Sequence, residues 1–471
     1  MTQGAICILL WVVMRAILCE IHYELMCKHK SVCVRVKIEY RKAGFMGKTP
    51  RERLIDTLNH RDPGRVVVDL GSSSITGINI NALVKLRRGL GLEDKELIMD
   101  EPLQLLGRVE EDVRKAVGAD VCGVSNDYTI FGYRNRDWKD WTLHNGLTMK
   151  VSEEFRTSTD EEGNTYIYPQ GDTSVPPAGK MPKNGFFFDN ITRSSAKAED
   201  DDLNAREDFK DDFPVFSDEQ LRIIENNVND IYNNTDYGLF YNGALCGIGD
   251  FALVPGPHVK HPGGVRDLQE FMMVHYEDPD YIHEIFEMQL ETALKNAKLM
   301  YEAVGNKLQA VYISGTDFGL QRGPYMSLES FRTFYKPIYT EINKWIHENT
   351  EWKTFYHSCG SIVTFLQDFH ECGIDILNPV QTTAADMDPV MLKRDWGDKF
   401  VFWGGGINTQ YTLPFGTPQE CYDEAMERLK IFAPGGGFVF NTVHNIQGQT
   451  PMENMIAMFQ AVHDYNKQFE E

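Results

Sequence analysis

The sequence predicts an α/β fold, a (β/α)8 TIM-type barrel with an insertion between the second and third strands. Two observations support this prediction. Short apolar runs rich in β-branched residues alternate with longer segments of 3.6-residue periodicity, and eight such runs follow residue 46. The chain has 471 residues, of which 42% are hydrophobic, so it can bury the large core that eight strands and their helices require.

The predicted strands are short and separated by helices. In chain order they are Val66–Leu70, Asp120–Val124, Cys246–Leu253, Leu308–Ile313, Lys353–His357, Ile374–Asn378, Phe400–Trp403 and Phe438–Asn441. The clearest predicted helices are about Ser217–Asn233, Asp278–Val304, Ser327–Asn349 and Pro451–Gln468. Pro279 suits the first turn of the second of these, because the N–H that proline lacks has no partner there.

An open, doubly wound sheet is the alternative to a barrel. Such a sheet usually carries a G-x-G-x-x-G phosphate-binding turn after its first strand. The corresponding stretch is DLGSSSITG, which does not fit that spacing. Glycines also occur at Gly404–Thr409 and Pro434–Gly437, again without it, and we expect a strand-to-helix turn and a helix end there.

A long interruption separates the second and third predicted strands, at about residues 128–216. It contains alternating segments such as TYIYP and NGFFFD with Gly and Pro between them, a pattern that favours hairpins. We therefore expect a hairpin-rich insertion over the mouth of the barrel.

The first 45 residues differ from the remainder. They contain seven Lys or Arg and three Asp or Glu, a net charge of +4, which leaves −26 for the rest of a chain whose net charge is −22. The apolar run Ala5–Cys19 is compatible with a signal anchor or with an extension upstream of a true start at Met46. The second interpretation is preferred because the sequence after Met46 is typical of a cytosolic enzyme. We expect residues 46–471 to form the barrel and residues 1–45 to be an atypical extension.

Charge and cysteine content restrict the partners and the compartment. A net charge of −22 argues against nucleic acid, since phosphate binding requires a basic surface. The five cysteines after residue 46 are scattered rather than arranged as a disulfide framework, which favours a reducing, cytoplasmic location. No membrane association is expected, and a homodimer is compatible with the sequence.

Catalytic side chains of such barrels come from the carboxyl ends of the strands and from the loops that follow them. Four stretches occupy those places. They are DLGSSS (Asp69–Ser74), SGTDFGLQRGP (Ser314–Pro324), HSCGS (His357–Ser361) and NTVHNIQ (Asn441–Gln447).

The HSCGS stretch predicts a metal site. His357 and Cys359 are separated by one residue at a strand end, so their side chains point to the same side. Zinc binds imidazole nitrogen and thiolate sulfur, and His444, at the end of the eighth strand, can supply a third ligand. Three protein ligands and one open position are typical of a catalytic zinc site. An isolated H-x-C pair is a weak signal, however, and His444 can also serve as a cap or bind substrate.

Five further residues are candidates for the active site. Asp317 and Asp69 are candidate catalytic residues, although Asp317 can also cap the next helix and Asp69 can accept backbone N–H bonds in its turn. Arg322 is a candidate for binding a substrate carboxylate or for pairing with Asp317. Tyr325 and Trp403 can stack on an aromatic substrate or simply pack.

Several stretches resemble the uroporphyrinogen decarboxylase superfamily, especially its methyltransferase-like branch. They are TPRERLIDTLNHRDPGRV near Thr49, DFGLQRGPYMSLESFRTFYKPIY, FYHSCGSI, GIDILNPVQTTAADMDP, FWGGGINTQYTLPFGTP and PGGGFVFNTVHNIQGQTPMENMIAM. The resemblance extends from about Lys48 to the end, is densest after Ser314, and is loose in the insertion. Decarboxylases of the family hold their substrate's carboxylates with arginines in an M-R-Q-A-G-R type stretch near the N-terminus, whereas this chain has VVVDLGSSSITG there, without arginine.

The resemblance implies a zinc-dependent methyltransferase of the O-demethylase type. Relatives of that branch hold zinc with a His-x-Cys pair and a later cysteine, and His444 stands where that cysteine is expected. A His2Cys set leaves the zinc centre more positive than a HisCys2 set does, which favours Lewis-acid activation of a substrate oxygen. The implied reaction moves a methyl group from a methoxylated or methylated small molecule to a reduced corrinoid on a partner protein.

Two other functions are compatible with the sequence. One is a decarboxylase of a non-porphyrin or porphyrin-like carboxylic acid that uses Asp69. The other is a non-catalytic accessory protein that binds a corrinoid or a small molecule. Metal analysis of the purified protein distinguishes these functions from the zinc enzyme.

Overall fold

Eight parallel strands form the centre of the molecule in this computed structural model, which describes residues 19–28, 31–40 and 47–469. They are β1 (Val67–Val68), β2 (Val121–Val124), β3 (Gly238–Tyr241), β4 (Ala310–Ser314), β5 (Lys353–His357), β6 (Ile376–Asn378), β7 (Val401–Trp403) and β8 (Phe438–Phe440). Neighbours run in the order β1-β8-β7-β6-β5-β4-β3-β2. The Asp120 N–H donates to the Val68 carbonyl at 2.8 Å and joins the two free edges. The predicted (β/α)8 barrel is confirmed.

The third predicted strand is wrong. Cys246–Leu253 forms a loop that ends in a short 3₁₀ helix, Phe251–Leu253, and β3 lies earlier in the chain. Gly247 and Gly249 have φ values of 70° and 69°, a left-handed conformation that interrupts an extended strand. The Asp250 side chain then accepts the Ala252 N–H and starts the helical turn. The loop therefore places Asp250 beyond the carboxyl end of β3.

Large side chains fill the inside of the barrel. They include Phe240, Phe355 and Trp403, none of them measurably exposed, with ring centroids 4.7 to 5.5 Å apart. Leu54 and Leu58, from the helix Pro50–Leu58, belong to the same cluster, and a side chain on Gly238 at the start of β3 would collide with Leu54. This helix therefore closes the amino end, which leaves the carboxyl end as the open mouth.

Helices surround the barrel. The α-helices are Pro50–Leu58, Ile80–Gly89, Glu111–Val117, Ala205–Asp208, Asp218–Asn234, Leu268–Glu277, Pro279–Val304, Leu328–Ser330, Lys336–Asn349, Leu366–Glu371, Pro389–Trp396, Thr412–Phe415, Pro418–Phe432 and Met452–Lys467. The four predicted helices correspond to helices in this set. The third of them contains a π-helical segment, Phe331–Tyr335, just before Pro337. Proline cannot donate the next hydrogen bond of an α-helical ladder, which accounts for the change of pitch.

The segment between β2 and β3 forms antiparallel strands. One hairpin pairs Trp138–Thr142 with Thr148–Ser152, and a four-stranded sheet contains Thr157–Thr159, Thr165–Ile167, Gly179–Met181 and Asp189–Asn190. TYIYP contributes a strand, whereas NGFFFD is mainly turn. These strands enclose a separate small core, and Asn79, in the loop after β1, donates to the Phe186 carbonyl at 3.0 Å. That contact ties the segment to the mouth of the barrel.

Before the barrel, Cys19–Lys28 and Ser31–Tyr40 pair as antiparallel strands. Met46 and almost all of the apolar run Ala5–Cys19 lie outside the described residues. Within the described ranges, no helix is both long enough and apolar enough to span a membrane.

Candidate metal centre

His357, Cys359 and His444 lie together at the open end of the barrel. His357 is the last residue of β5, and Cys359 follows it after one residue. His444 lies four residues beyond the end of β8. Because all barrel strands are parallel, their carboxyl ends share one rim, and the ligand-capable atoms of the three side chains lie within 4.8 Å of one another.

The His357–Cys359 pair has a spacing that fits a zinc ion better than the position of His444 does. Ligands of a tetrahedral zinc ion lie about 3.3–3.6 Å apart when the bonds have the usual lengths of about 2.0–2.3 Å. His357 Nε2 and Cys359 Sγ are 3.4 Å apart and already fit. The rings of His357 and His444 are nearly perpendicular, with centroids 5.3 Å apart. The imidazole of His444 is therefore the ligand that would have to adjust.

A hydrogen bond fixes the orientation of His357. Its Nδ1 lies 2.6 Å from Asn378 Oδ1, while Asn378 Nδ2 donates to the Trp403 carbonyl at 2.8 Å. The second bond identifies the amide oxygen as the atom that faces the imidazole, so His357 Nδ1 carries the proton. Its Nε2 lone pair then points toward Cys359, as a metal ligand requires.

The loop that carries Cys359 is held by several hydrogen bonds. The Cys359 N–H donates to Asp317 Oδ1 at 2.7 Å, and the Gly360 N–H donates to Gln381 Oε1 at the same distance. Ser358 Oγ accepts the Phe318 N–H at 2.9 Å. Asp317 Oδ1 also lies 3.8 Å from His357 Nε2. Asp317 thus contacts both residues of the His-x-Cys pair, and it orients the loop rather than capping a helix.

Burial shifts the pKa values of the thiol and the imidazole in opposite directions. It raises the pKa of the Cys359 thiol well above its usual range, and Asp317 adds to this effect. Burial, together with His357, lowers the pKa of His444 to about 3. The imidazole is therefore neutral at physiological pH. Cys359 becomes a thiolate ligand only when a nearby cation stabilises the charge.

The backbone, rather than another side chain, orients His444. The Asn445 N–H donates to His444 Nδ1 at 2.8 Å. In a neutral ring with this bond the proton is on Nε2, so coordination requires the proton to change nitrogen or the ring to turn. His444 is thus close to the pair but not yet in a ligand's orientation.

Asp69 and Trp403 lie beneath the mouth. Asp69 is 1% exposed, accepts hydrogen bonds from Ser72 and lies 3.0 Å from the Trp403 indole nitrogen, which donates to it. Burial raises the pKa of Asp69 to about 6. Trp403 is fully buried between Phe240 and Phe355. The structure favours internal bonding for Asp69 and packing for Trp403, the alternatives that the sequence leaves open.

Arg322 and Tyr325 lie at the hairpin that follows Asp317. Arg322 is exposed, and its guanidinium forms no ion pair or hydrogen bond within the described part of the chain. The alternative of pairing with Asp317 is therefore not observed there. Tyr325 is half-buried, with its ring centroid 5.5 Å from that of Phe251. Both side chains remain available to a ligand, and their substrate-binding role stays a prediction.

Two amide side chains support the centre without having been predicted to do so. Asn378 orients His357, and Gln381 holds Gly360 while its Nε2 donates to Gln321 at 2.9 Å. The feature of the sequence that could have identified them is their position, at or just beyond the carboxyl end of β6. The neighbours they contact belong to other strands and cannot be read from that position.

Comparisons with known proteins agree with the fold. The family model for uroporphyrinogen decarboxylase (URO-D) matches residues 261–465. A uroporphyrinogen decarboxylase from Coxiella burnetii (strain Dugway 5J108-111) is 29% identical over 107 residues, which span 23% of this chain and 28% of that protein. A methyltransferase from Methanosarcina mazei has a similar fold, with a TM-score of 0.50 and 16% identity over 89% of this chain and 99% of that one. Residues 261–465 are thus similar to the uroporphyrinogen decarboxylase family, and most of the chain shares the fold of that methyltransferase.

Proposed function

We propose that this chain is a zinc-dependent methyltransferase that moves a methyl group from a methoxylated or methylated small molecule to a corrinoid protein. One observation carries the proposal: His357, Cys359 and His444 converge within 4.8 Å at the open end of the barrel. The fold shared with a methyltransferase from Methanosarcina mazei supports it. The implied setting is the cytoplasm, with a small-molecule methyl donor and a corrinoid protein as partners.

The donor set fits zinc better than a hard cation. One thiol and two imidazoles supply sulfur and nitrogen, whereas Mg²⁺ and Ca²⁺ prefer oxygen ligands. His357 already presents Nε2 beside the sulfur, because Asn378 holds the proton on Nδ1. Bound zinc would supply a Lewis acid that polarises the substrate atom that gives up the methyl group.

The other side chains keep the site in position. Asp317 and Gln381 accept the backbone N–H groups of Cys359 and Gly360, so the loop that carries the sulfur is held at the mouth. Arg322 is exposed at the rim, has no ion pair among the described residues and can bind an anionic group of the substrate. Tyr325 offers a half-buried aromatic face nearby. In such a transfer the protein need only align donor and acceptor and stabilise the departing group.

Decarboxylation is less well supported by this site. The arginines that hold the carboxylates of a porphyrinogen have no counterpart in VVVDLGSSSITG. Asp69, the carboxylate available in that stretch, is buried and bonded to Ser72 and Trp403. A substrate would have to displace those bonds before reaching it.

The test combines metal analysis with a transfer assay. Purified protein is expected to contain about one zinc per chain, and to methylate free cob(I)alamin, a stand-in for the corrinoid protein, from a panel of aryl methyl ethers and methylamines. Removing zinc with a chelator, or His357→Ala, should abolish transfer, and restoring zinc should rescue only the stripped wild type. Release of carbon dioxide from a carboxylic acid panel by metal-free protein would contradict the proposal.

A further inference from the structure

Tyr312 has its hydroxyl next to Gly315, in the loop that carries Asp317. It lies on β4, half-buried, with its ring 5.9 Å from that of Phe355 inside the barrel. Its hydroxyl forms no hydrogen bond with any residue that the structure describes, although the ring is packed. The oxygen is accessible to solvent, so a ligand oxygen in the mouth can serve as its partner.

The hydroxyl lies next to the loop after β4, and that loop contacts the His-x-Cys pair. A Cβ atom on Gly315, the residue after β4, would overlap the Tyr312 hydroxyl and lie 2.8 Å from Asp250 Oδ2. Two residues further along the same loop, Asp317 contacts Cys359 and His357. Gly315 therefore leaves space for the hydroxyl and the Asp250 carboxylate in the loop whose Asp317 contacts the centre.

The surroundings keep this hydroxyl a hydrogen-bond donor. Burial raises the pKa of Tyr312 well above its usual range, and Asp250, Asp317, Tyr339 and Cys359 add to the effect. Asp250 is itself fixed by the Ala252 N–H at 2.9 Å. The carboxylates of Asp250 and Asp317 would repel an oxygen that gains negative charge. Tyr312 is a donor on the same side of the mouth that can offset this repulsion.

We propose that Tyr312 is a catalytic residue that donates a hydrogen bond to the substrate oxygen from which the methyl group departs. This inference rests on the proposed function and narrows its substrate to methyl ethers. The carbon–oxygen bond breaks, the methyl group passes to the nucleophilic corrinoid of the partner, and the electron pair stays on the oxygen. That oxygen accepts the bond from Tyr312 until solvent protonates it. A departing amine carries no such negative charge and gains less from the donor.

The activity test uses leaving groups of graded basicity. Tyr312→Phe is compared with wild type on the methyl ethers of para-cresol, phenol and para-nitrophenol. Loss of one such donor is expected to lower kcat by about 10²-fold for the methyl ether of para-cresol. For the methyl ether of para-nitrophenol the loss should be less than about threefold, because the departing para-nitrophenolate needs little stabilisation. The control is Tyr339→Phe, which removes a buried hydroxyl 3.0 Å from Ser314 Oγ on the outer side of β4. Its effect should not vary with the leaving group.

A binding test does not depend on turnover. Zinc-loaded wild type should bind phenol about tenfold more tightly than toluene, and Tyr312→Phe should remove this preference. Gly315→Ala provides a second variant if the first does not fold. Its Cβ displaces the hydroxyl without requiring a left-handed φ, so it should also remove the preference for phenol. If wild type transfers no methyl group but the preference depends on Tyr312, methyl transfer is wrong and the oxygen-binding role stands. Equal behaviour of wild type and both variants in every arm overturns the inference.

Discussion

The two sides of the candidate metal centre are built differently. His357 and Cys359 lie on the β5 side. Their imidazole and loop are bound by Asn378 at the end of β6, Gln381 just beyond it and Asp317 in the loop after β4. The β8 side consists of His444, whose Nδ1 is bonded to the N–H of the next residue along the chain.

This difference indicates which part of the site is pre-organised. Supporting hydrogen bonds fix ligands before an ion arrives, and mutating them usually lowers metal affinity by about 10–100-fold. The β5 side has such bonds from three residues on two other segments, whereas His444 must reorient to coordinate. We therefore expect an ion to bind mainly through His357 and Cys359, with His444 completing the site and tuning its charge.

The largest expected effect is on the β5 side. His357→Ala and Cys359→Ala should each lower zinc affinity by about 10³-fold, because a site of three ligands loses one that needs no rearrangement. Competition with a chromogenic chelator measures this affinity. Cys372→Ala, at a buried thiol away from the centre, is the matched control and should leave zinc affinity unchanged. Equal affinity in all three variants would show that the cluster holds no zinc.

A second prediction concerns the buried carboxylate of Asp250, in the loop after β3. Burial raises the pKa of Asp250 from 3.8 to about 6. Between those pH values the folded state binds more protons than the unfolded state, so the stability of the metal-free protein falls as pH rises through this window. The difference between the two pKa values corresponds to a loss of about 3 kcal/mol in the free energy of unfolding above pH 7.

Asp250→Asn keeps an oxygen for the Ala252 N–H and removes the charge. Its gain in the free energy of unfolding over wild type should roughly double between pH 5 and pH 7.5, to about 3 kcal/mol, as measured by urea denaturation. Asp189→Asn, at an exposed carboxylate, controls for the change in net charge. A gain that does not vary with pH would show that Asp250 is not a buried charge.

The comparison also shows what the sequence could and could not predict. The H-x-C spacing at a strand end and the parallel strand order bring His357, Cys359 and His444 together, and both are visible in the sequence. The role of Asn378 is not, because it depends on the Trp403 carbonyl of the neighbouring strand. The position of Asp250 at the mouth could not be predicted, because the incorrect strand Cys246–Leu253 placed it inside a strand. Two left-handed glycines turn that stretch into a mouth loop.

A third and smaller effect is expected at Asn378, which holds the proton on His357 Nδ1. Asn378→Ala should lower zinc affinity by about 10–100-fold while leaving all three ligands in place. Asn378→Asp retains an oxygen for the imidazole N–H and should restore most of the affinity, although it loses the bond to the Trp403 carbonyl. If Asn378→Ala binds zinc as tightly as wild type, the β5 side is no better organised than the β8 side.

The smallest effect on affinity is expected for His444→Cys, and it tests the β8 side directly. The resemblance of the sequence to methyltransferase-like proteins implies a cysteine at this place, and sulfur is a good zinc ligand. The zinc affinity of His444→Cys should therefore stay within about tenfold of wild type, whereas that of His444→Ala should be lower still. A second thiolate, however, makes the centre neutral and a weaker Lewis acid. If His444 tunes this charge, His444→Cys retains zinc but transfers methyl groups from ethers more slowly, with the largest loss for the most basic leaving groups. If it binds zinc normally and transfers methyl groups at the wild-type rate, His444 serves only to complete the coordination shell.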